Sequence, residues 1–308
     1  MELWLVNVVS CYAQDFTMTN SITLFLPRDL EILAALDRTP LTIEQLLKLS
    51  RTFAVPFTSA SRVRGRLQKL REAGWVRRWR YAAATRGTPT DYYTLAPTGF
   101  RLLNGTAVPF PRSRHFSEVG IARQHHTRSL ADVVVHLTVT AHEQGVRLID
   151  FTRENSLRLS VGEASVYPDC AFQLETKSGN TFNFVVELDC GSERIRSTKE
   201  VDSLERKIRV YDQFQDTCPN RFRVLFVTTR SKERLDHILA AAGKLVRNPR
   251  RSLVYGATLA ECLLHTDPIL APCFRDHHCE ALALIPPLLR RKGTQPLRTG
   301  SLDQLIAA

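Results

Sequence analysis

The 308-residue chain contains no run of about 18 apolar residues, so no part of it is suited to crossing a bilayer as a helix. It has no CxxC pair. Its seven cysteines, at positions 11, 170, 190, 218, 262, 273 and 279, are odd in number, which argues against a closed disulfide framework and fits a reducing cytoplasm. The absence of a GxxxxGK(S/T) loop disfavours an ATP-driven motor. Nor does the chain hold the His-rich cluster and tyrosine set expected of an enzyme that cuts DNA through a phosphotyrosine link. The apolar opening MELWLVNVVSCYAQ carries Glu2 and lacks the basic n-region of a secretory signal. It reads either as an edge strand or as an upstream extension of a product starting at Met18, and both readings stay open.

Positive charge is what the chain has in excess. The net charge is +11, and residues 1–115 hold sixteen basic against eight acidic side chains, so most of the excess is N-terminal. Such an excess favours nucleic acid or an anionic membrane. Without a membrane-spanning segment, double-stranded DNA becomes the expected partner. Residues 58–86 carry the peak, nine basic residues (Arg62, Arg64, Arg66, Lys69, Arg71, Arg77, Arg78, Arg80 and Arg86) against Glu72 alone.

The surrounding pattern predicts a winged helix-turn-helix over residues 22–103. Pro27 opens a first helix with acids in its opening turn, and Thr42 with Gln45 forms a capping-box signature for a second. Thr58 or Ser59 caps a third, which Gly74 stops. At 100° per residue Val63, Leu67 and Leu70 share one face of this third helix, while Arg62, Arg66 and Lys69 gather opposite, where a recognition helix meets DNA. WVRRWRY and DYYTL read as wing strands around TRGTP, with Arg78 and Arg80 on the side opposite Trp75, Trp79 and Tyr81, and Arg86 at the tip. Arg64 and Arg71 complete the expected DNA-binding set. A run of surface arginines is ordinarily only a solvated face; the separation of basic from apolar faces, together with the wing, favours the DNA reading.

Residues 104–116 read as an interdomain linker and hinge, residues 117–282 as a second domain, 1–21 as an extension and 283–308 as a basic, Pro-containing tail. The second domain alternates helices and strands in an α/β (α+β) order with a mixed sheet. If the turn KSGN is centred near residue 178, Asp169 stands opposite Glu187, and Asp189, two residues on, shares the face of Glu187. Three carboxylates converging at one sheet end repel unless a cation joins them, and oxygen ligands at this spacing suit Mg²⁺ or Mn²⁺, which activates water for attack on a phosphodiester. Cys273, His277, His278 and Cys279 lack a second clean ligand pair for zinc. His125 and His126 point about 100° apart on a long helix, so packing or phosphate contact suits them better than a shared site.

PDCAFQLE followed by FVVELD resembles the PD-(D/E)xK nuclease superfamily, which implies a restriction-endonuclease-like sheet with Asp169 and Glu187 as metal ligands. The lysine expected two residues after Glu187 is replaced by Asp189. The resemblance allows that lysine to migrate, and Lys207, four residues before Tyr211, is the substitute it implies for the catalytic set Asp169, Glu187 and Lys207; a plain basic helix surface beside a packed tyrosine accounts for Lys207 equally well. It also implies Glu154 as an upstream ligand, giving a metal set of Asp169, Glu187, Asp189 and Glu154. The winged helix, linker, YPD, ELDxGSE and KxxxY helix together resemble the replication-relaxation family of plasmids and integrative elements. That implies a DNA-binding accessory protein of mobile-element replication or relaxation, with replication or mobilisation proteins as partners and Mg²⁺-dependent nicking by the second domain. The alternative is a winged-helix transcriptional regulator whose nuclease-like domain is inactive and serves homodimerisation or partner binding.

Overall fold

The computed structural model describes residues 25–82, 90–195 and 203–286. The readings of the opening extension, of Met18, of Arg86 and of most of the basic tail lie outside these residues. In the first lobe, α1 (Pro27–Arg38), α2 (Ile43–Leu49), α3 (Ala60–Glu72) and α4 (Pro97–Asn104) surround a small sheet of β1 (Leu41–Thr42), β2 (Val76–Arg80) and β3 (Asp91–Leu95) in the order β1-β3-β2. This is the expected winged-helix arrangement, and its starts and stops are made by the expected residues. Thr42 Oγ1 accepts from the Gln45 N–H (3.2 Å) while Gln45 Oε1 accepts from the Thr42 N–H (2.8 Å). Ser59 caps α3 by accepting from the Arg62 N–H. At its other end Gly74, at φ 74°, ends α3 in a Schellman motif, with the Trp75 N–H donating to Leu70 O and the Gly74 N–H to Arg71 O.

The second lobe starts with the 23-residue α5 (Ile121–Glu143). It continues through β4 (Arg147–Thr152), β5 (Leu159–Val161), β6 (Ala164–Val166), β7 (Cys170–Glu175) and β8 (Thr181–Asp189) to α6 (Leu204–Thr217). β9 (Phe222–Thr228), α7 (Lys232–Leu245), β10 (Val254–Thr258), α8 (Leu259–Leu264), β11 (Phe274–Asp276) and β12 (Ala281–Leu282) complete it. The seven-stranded sheet runs β12-β11-β10-β9-β8-β7-β4, with β8-β9 and β9-β10 parallel and the other neighbours antiparallel. α5 and α8 cover one face and α6 and α7 the other, so the lobe is α/β with a mixed sheet. The stretch 165–175 is not one strand. β6 ends at Val166 and turns back on β5, and β7 starts at Cys170, because Pro168 between them has no N–H for a ladder.

α5 belongs to both lobes. Ala131, Val135 and Val139 close the winged-helix core, whereas Leu130, Val133, Val134, Leu137 and Ala141 pack on the large sheet. The Gln45 amide donates to Asp132 (2.7 Å), and the Val119 N–H donates to Tyr92 Oη (2.8 Å). The stretch read as a hinge is fastened down: the Arg101 guanidinium lies 3.7 Å above the Phe110 ring and donates to Thr106 O, Phe116 is buried against Phe100, and Arg77 donates to Phe116 O. Arg153 of the second lobe reaches Asp37 of α1 (3.1 Å). No described helix is long and apolar enough to cross a membrane.

Candidate functional site

On α3, Val63, Leu67 and Leu70 are fully buried, each contributing about 1.5–3 kcal/mol that pins the helix to its lobe. Arg62, Arg64, Lys69 and Arg71 are exposed on the outside, and none has an ion pair among the described residues. Arg66 departs from the expectation. Its guanidinium turns inward to form a two-pronged pair with Asp29, whose side chain is completely buried at the start of α1 and also accepts from the Leu26 N–H (2.7 Å). A carboxylate there needs a cation, and Arg66 is spent on it. The wing arginines are also engaged, Arg78 with Asp91 at 2.6 Å and Arg80 with Asp91 at 3.5 Å, on the outer side of the strand. Trp79 donates to Thr94 Oγ1 (2.9 Å), and Tyr81 stacks on Tyr92.

At the sheet end the ladder pairs Cys170 with Val186 and Ala171 with Val185, the register that sets Asp169 against Glu187. The three carboxylates nevertheless do not converge. Asp169 precedes the first ladder pair, and its Oδ2 accepts from the Leu188 N–H (2.7 Å) while Oδ1 meets His126 Nε2 (3.1 Å). Glu187 points to the α6 layer, where Oε2 receives the Lys207 ammonium (2.9 Å) and Oε1 the Tyr211 hydroxyl. Asp189 is gripped by Arg234 (2.5 and 2.7 Å), the Thr228 hydroxyl (2.8 Å) and the Gly191 N–H. The set Asp169, Glu187, Asp189 and Glu154 therefore does not gather round one point: among the described residues the ligand atoms that come within 4.8 Å of one another are those of His126, Glu154 and Asp169, with Glu187 and Asp189 turned to other partners.

The electrostatics follow the contacts. Burial pushes Glu187 up to about 7 despite the opposing Lys207 charge, and the nearby Asp169 charge adds to the rise. Burial works to lower Lys207, but the carboxylates of Glu187 and Glu193 outweigh it and hold the ammonium above its ordinary range. For Asp189 burial alone would raise the pKa; hydrogen bonds from Arg234, Thr228 and Gly191 overcome it and hold the group below the usual range. Lys207 meets Glu187, and its salt bridge to Glu193 (2.9 Å) joins the two acids through one ammonium.

Glu154 follows a bulge in β4, where Asp150 takes φ 48° and the register shifts between Ile149 and Thr152. It pairs with Arg123 in the first turn of α5 and stands with His126 and Asp169 in a group whose ligand atoms all lie within 4.8 Å of one another. Among the described residues this is the one such group of three, so the cysteines and histidines of 273–279 do not assemble one. A cavity of about 480 Å³ opens over Asp169 and Glu154, walled by Arg38, Arg112, Arg114, Arg123, Arg153 and His115. Burial lowers Arg114, and the charges of Arg123 and Arg112 lower it further, a sign of crowded cations. Sequence reading gave His126 a packing or phosphate-contact role in place of a shared site, and missed Asp29 and Arg234. His126 had a usable signal, since it lies three residues beyond Arg123 on one helix face, but its acid partners are 28 and 43 positions away.

A winged helix fused through a shared helix to an α/β lobe defines a two-lobed class of protein. The family model described as Replication-relaxation matches residues 33–224, well over half the chain, and the chain belongs to that family. Among solved structures it is similar to Bacillus subtilis PadR in complex with operator DNA, at 16% identity over 41% of this chain and 75% of that one, with a TM-score of 0.23 that carries no structural inference. A comparison with curated proteins finds no match.

Proposed function

We propose that the chain is a cytoplasmic DNA-binding accessory protein of plasmid or mobile-element replication and relaxation, gripping duplex DNA through α3. The observation that carries this reading is the row Arg62, Arg64, Lys69 and Arg71, exposed and without acidic partners, on a helix whose opposite face is fully buried. Membership of the replication-relaxation family supports the cellular setting. Neutralising a phosphate releases counterions, so each lost contact removes about one unit from the dependence of log affinity on log salt. The test is duplex titration across salt with Arg62→Ala plus Lys69→Ala. Replication or mobilisation proteins are the partners the family setting proposes for the second lobe.

A second reading, nicking that depends on Mg²⁺ or Mn²⁺, is favoured by one observation: two of the four expected ligands, Asp169 and Glu154, do come together beneath an arginine-walled cavity. Its test is cleavage of supercoiled plasmid by the native chain and by Asp169→Ala. Equal cleavage by both, or none by either, removes it. In that event the locked Glu187 and Asp189 favour the regulator, in which the second lobe serves homodimerisation or partner binding.

A further inference from the structure

We propose that His126, Glu154 and Asp169 form a binding site for one first-row divalent cation of the Mn²⁺ class, two of them, Glu154 and Asp169, lining the arginine-walled cavity. The inference draws on the second reading above only for its two carboxylates, and its test needs no DNA.

Three separate elements bring the donors together: α5 supplies His126, the turn after the β4 bulge supplies Glu154, and the segment leading into β7 supplies Asp169. Ligands bound at about 2.1 Å and at right angles around one ion stand about 3 Å apart. His126 Nε2 and Asp169 Oδ1 already stand at 3.1 Å, so an ion coordinated by both asks for little movement. The second Asp169 oxygen is anchored on the Leu188 N–H at 2.7 Å, which fixes the carboxylate while leaving Oδ1 facing His126. His126 Nδ1 is buried and without a partner, so among the described residues the bond to Asp169 is the polar contact that orients the ring.

The donor set chooses the class of ion. Mg²⁺ and Ca²⁺ prefer oxygen ligands throughout, whereas an imidazole among two carboxylates suits first-row transition ions. The hairpin carboxylates stand outside the group, Glu187 facing Lys207 and Tyr211 and Asp189 facing Arg234. The site has one built-in opponent. Arg123 holds Glu154 by an ion pair, and both are partly open to solvent, so that pair has to loosen before Glu154 can bind.

That opponent supplies a test which misfolding cannot imitate. Free Mn²⁺ is followed by its electron paramagnetic resonance signal while the full chain is titrated, with Mg²⁺ as competitor. The native chain binds one Mn²⁺, and an equal concentration of Mg²⁺ does not displace it. His126→Ala and Asp169→Asn each weaken binding by about tenfold or more, by extension from the losses seen when even supporting residues are removed. Arg123→Gln tightens it severalfold, because it releases Glu154, while Glu187→Gln still binds one Mn²⁺, since the Glu187 oxygens face Lys207 and Tyr211 and not the ion. Absence of binding by the native chain, unchanged affinity in His126→Ala, or loss in Glu187→Gln with retention in His126→Ala would each overturn the assignment. Plasmid nicking is read separately, so an ion held without cleavage removes the nicking reading and leaves this one standing.

Discussion

On α3 four cations face solvent with no ion pair among the described residues, the one acid of the helix, Glu72, accepting instead from Gln68, whereas at the end of the large sheet each acid has a cation or a donor. In the sequence the first region is a basic run, and the second is three carboxylates, Asp169, Glu187 and Asp189, that a hairpin brings to one sheet end. Folding treats them differently because burial differs. A carboxylate taken into the interior costs too much to leave alone, so Glu187 and Asp189 recruit Lys207 and Arg234; an arginine on an exposed helix face pays no such penalty and can wait for an external anion. Charge that the fold matches is structural, and the charge it leaves unmatched on α3 is free to meet an anion. Arg66 shows the rule inside the first region itself, since the one cation of its face that neighbours a buried carboxylate is the one drawn away.

The sharpest way to break this contrast is to remove the matched cations. Arg66→Ala leaves Asp29 buried and unpaired and is expected to cost about 3–5 kcal/mol in chemical denaturation, against about 0.5 kcal/mol or less for the neighbouring Arg64→Ala. Equal stability of the two variants would show that Arg66 belongs with the exposed ridge after all. Arg234→Ala strands Asp189 in the same manner, and a loss of comparable size is expected in thermal melts. A variant as stable as the native chain would return Asp189 to the pool of candidate metal ligands.

A smaller effect, confined to one pH window, sharpens the comparison at Glu187. Its pKa is raised from 4.5 to about 7, so between those values the folded chain holds a proton that the unfolded chain has lost. The contribution is therefore present in full below pH 4.5 and is lost as pH rises through 7. Glu187→Gln cannot titrate and should flatten the stability profile across that window; a variant profile parallel to the native one would mean that Lys207 keeps the carboxylate ionised throughout.

Much of the architecture was legible because it is written locally. Thr42 with Gln45, Ser59, Gly74 and the KSGN turn act within a few residues, and the turn alone set the register that puts Asp169 against Glu187. Short elements were harder. The hairpin β5-β6 turns at Gly162, φ 56°, a usable signal hidden by a strand only three residues long on either side, and β11 and β12 are as short. The site was less legible than the fold, because its decisive contacts join residues far apart in the chain. Asp29 finds Arg66 across 37 positions and Asp189 finds Arg234 across 45, distances at which no periodicity connects one side chain to another. The face of α3 was read correctly for its apolar residues, but spacing alone could not tell that Arg66 would leave the opposite face.

The central claim, that the unmatched cations of α3 await phosphates, is tested most directly by duplex DNA affinity measured over a range of salt. The native chain compared with Arg62→Ala plus Lys69→Ala should show the slope of log affinity against log salt falling by about two units. The same slope and affinity for both proteins would contradict the account.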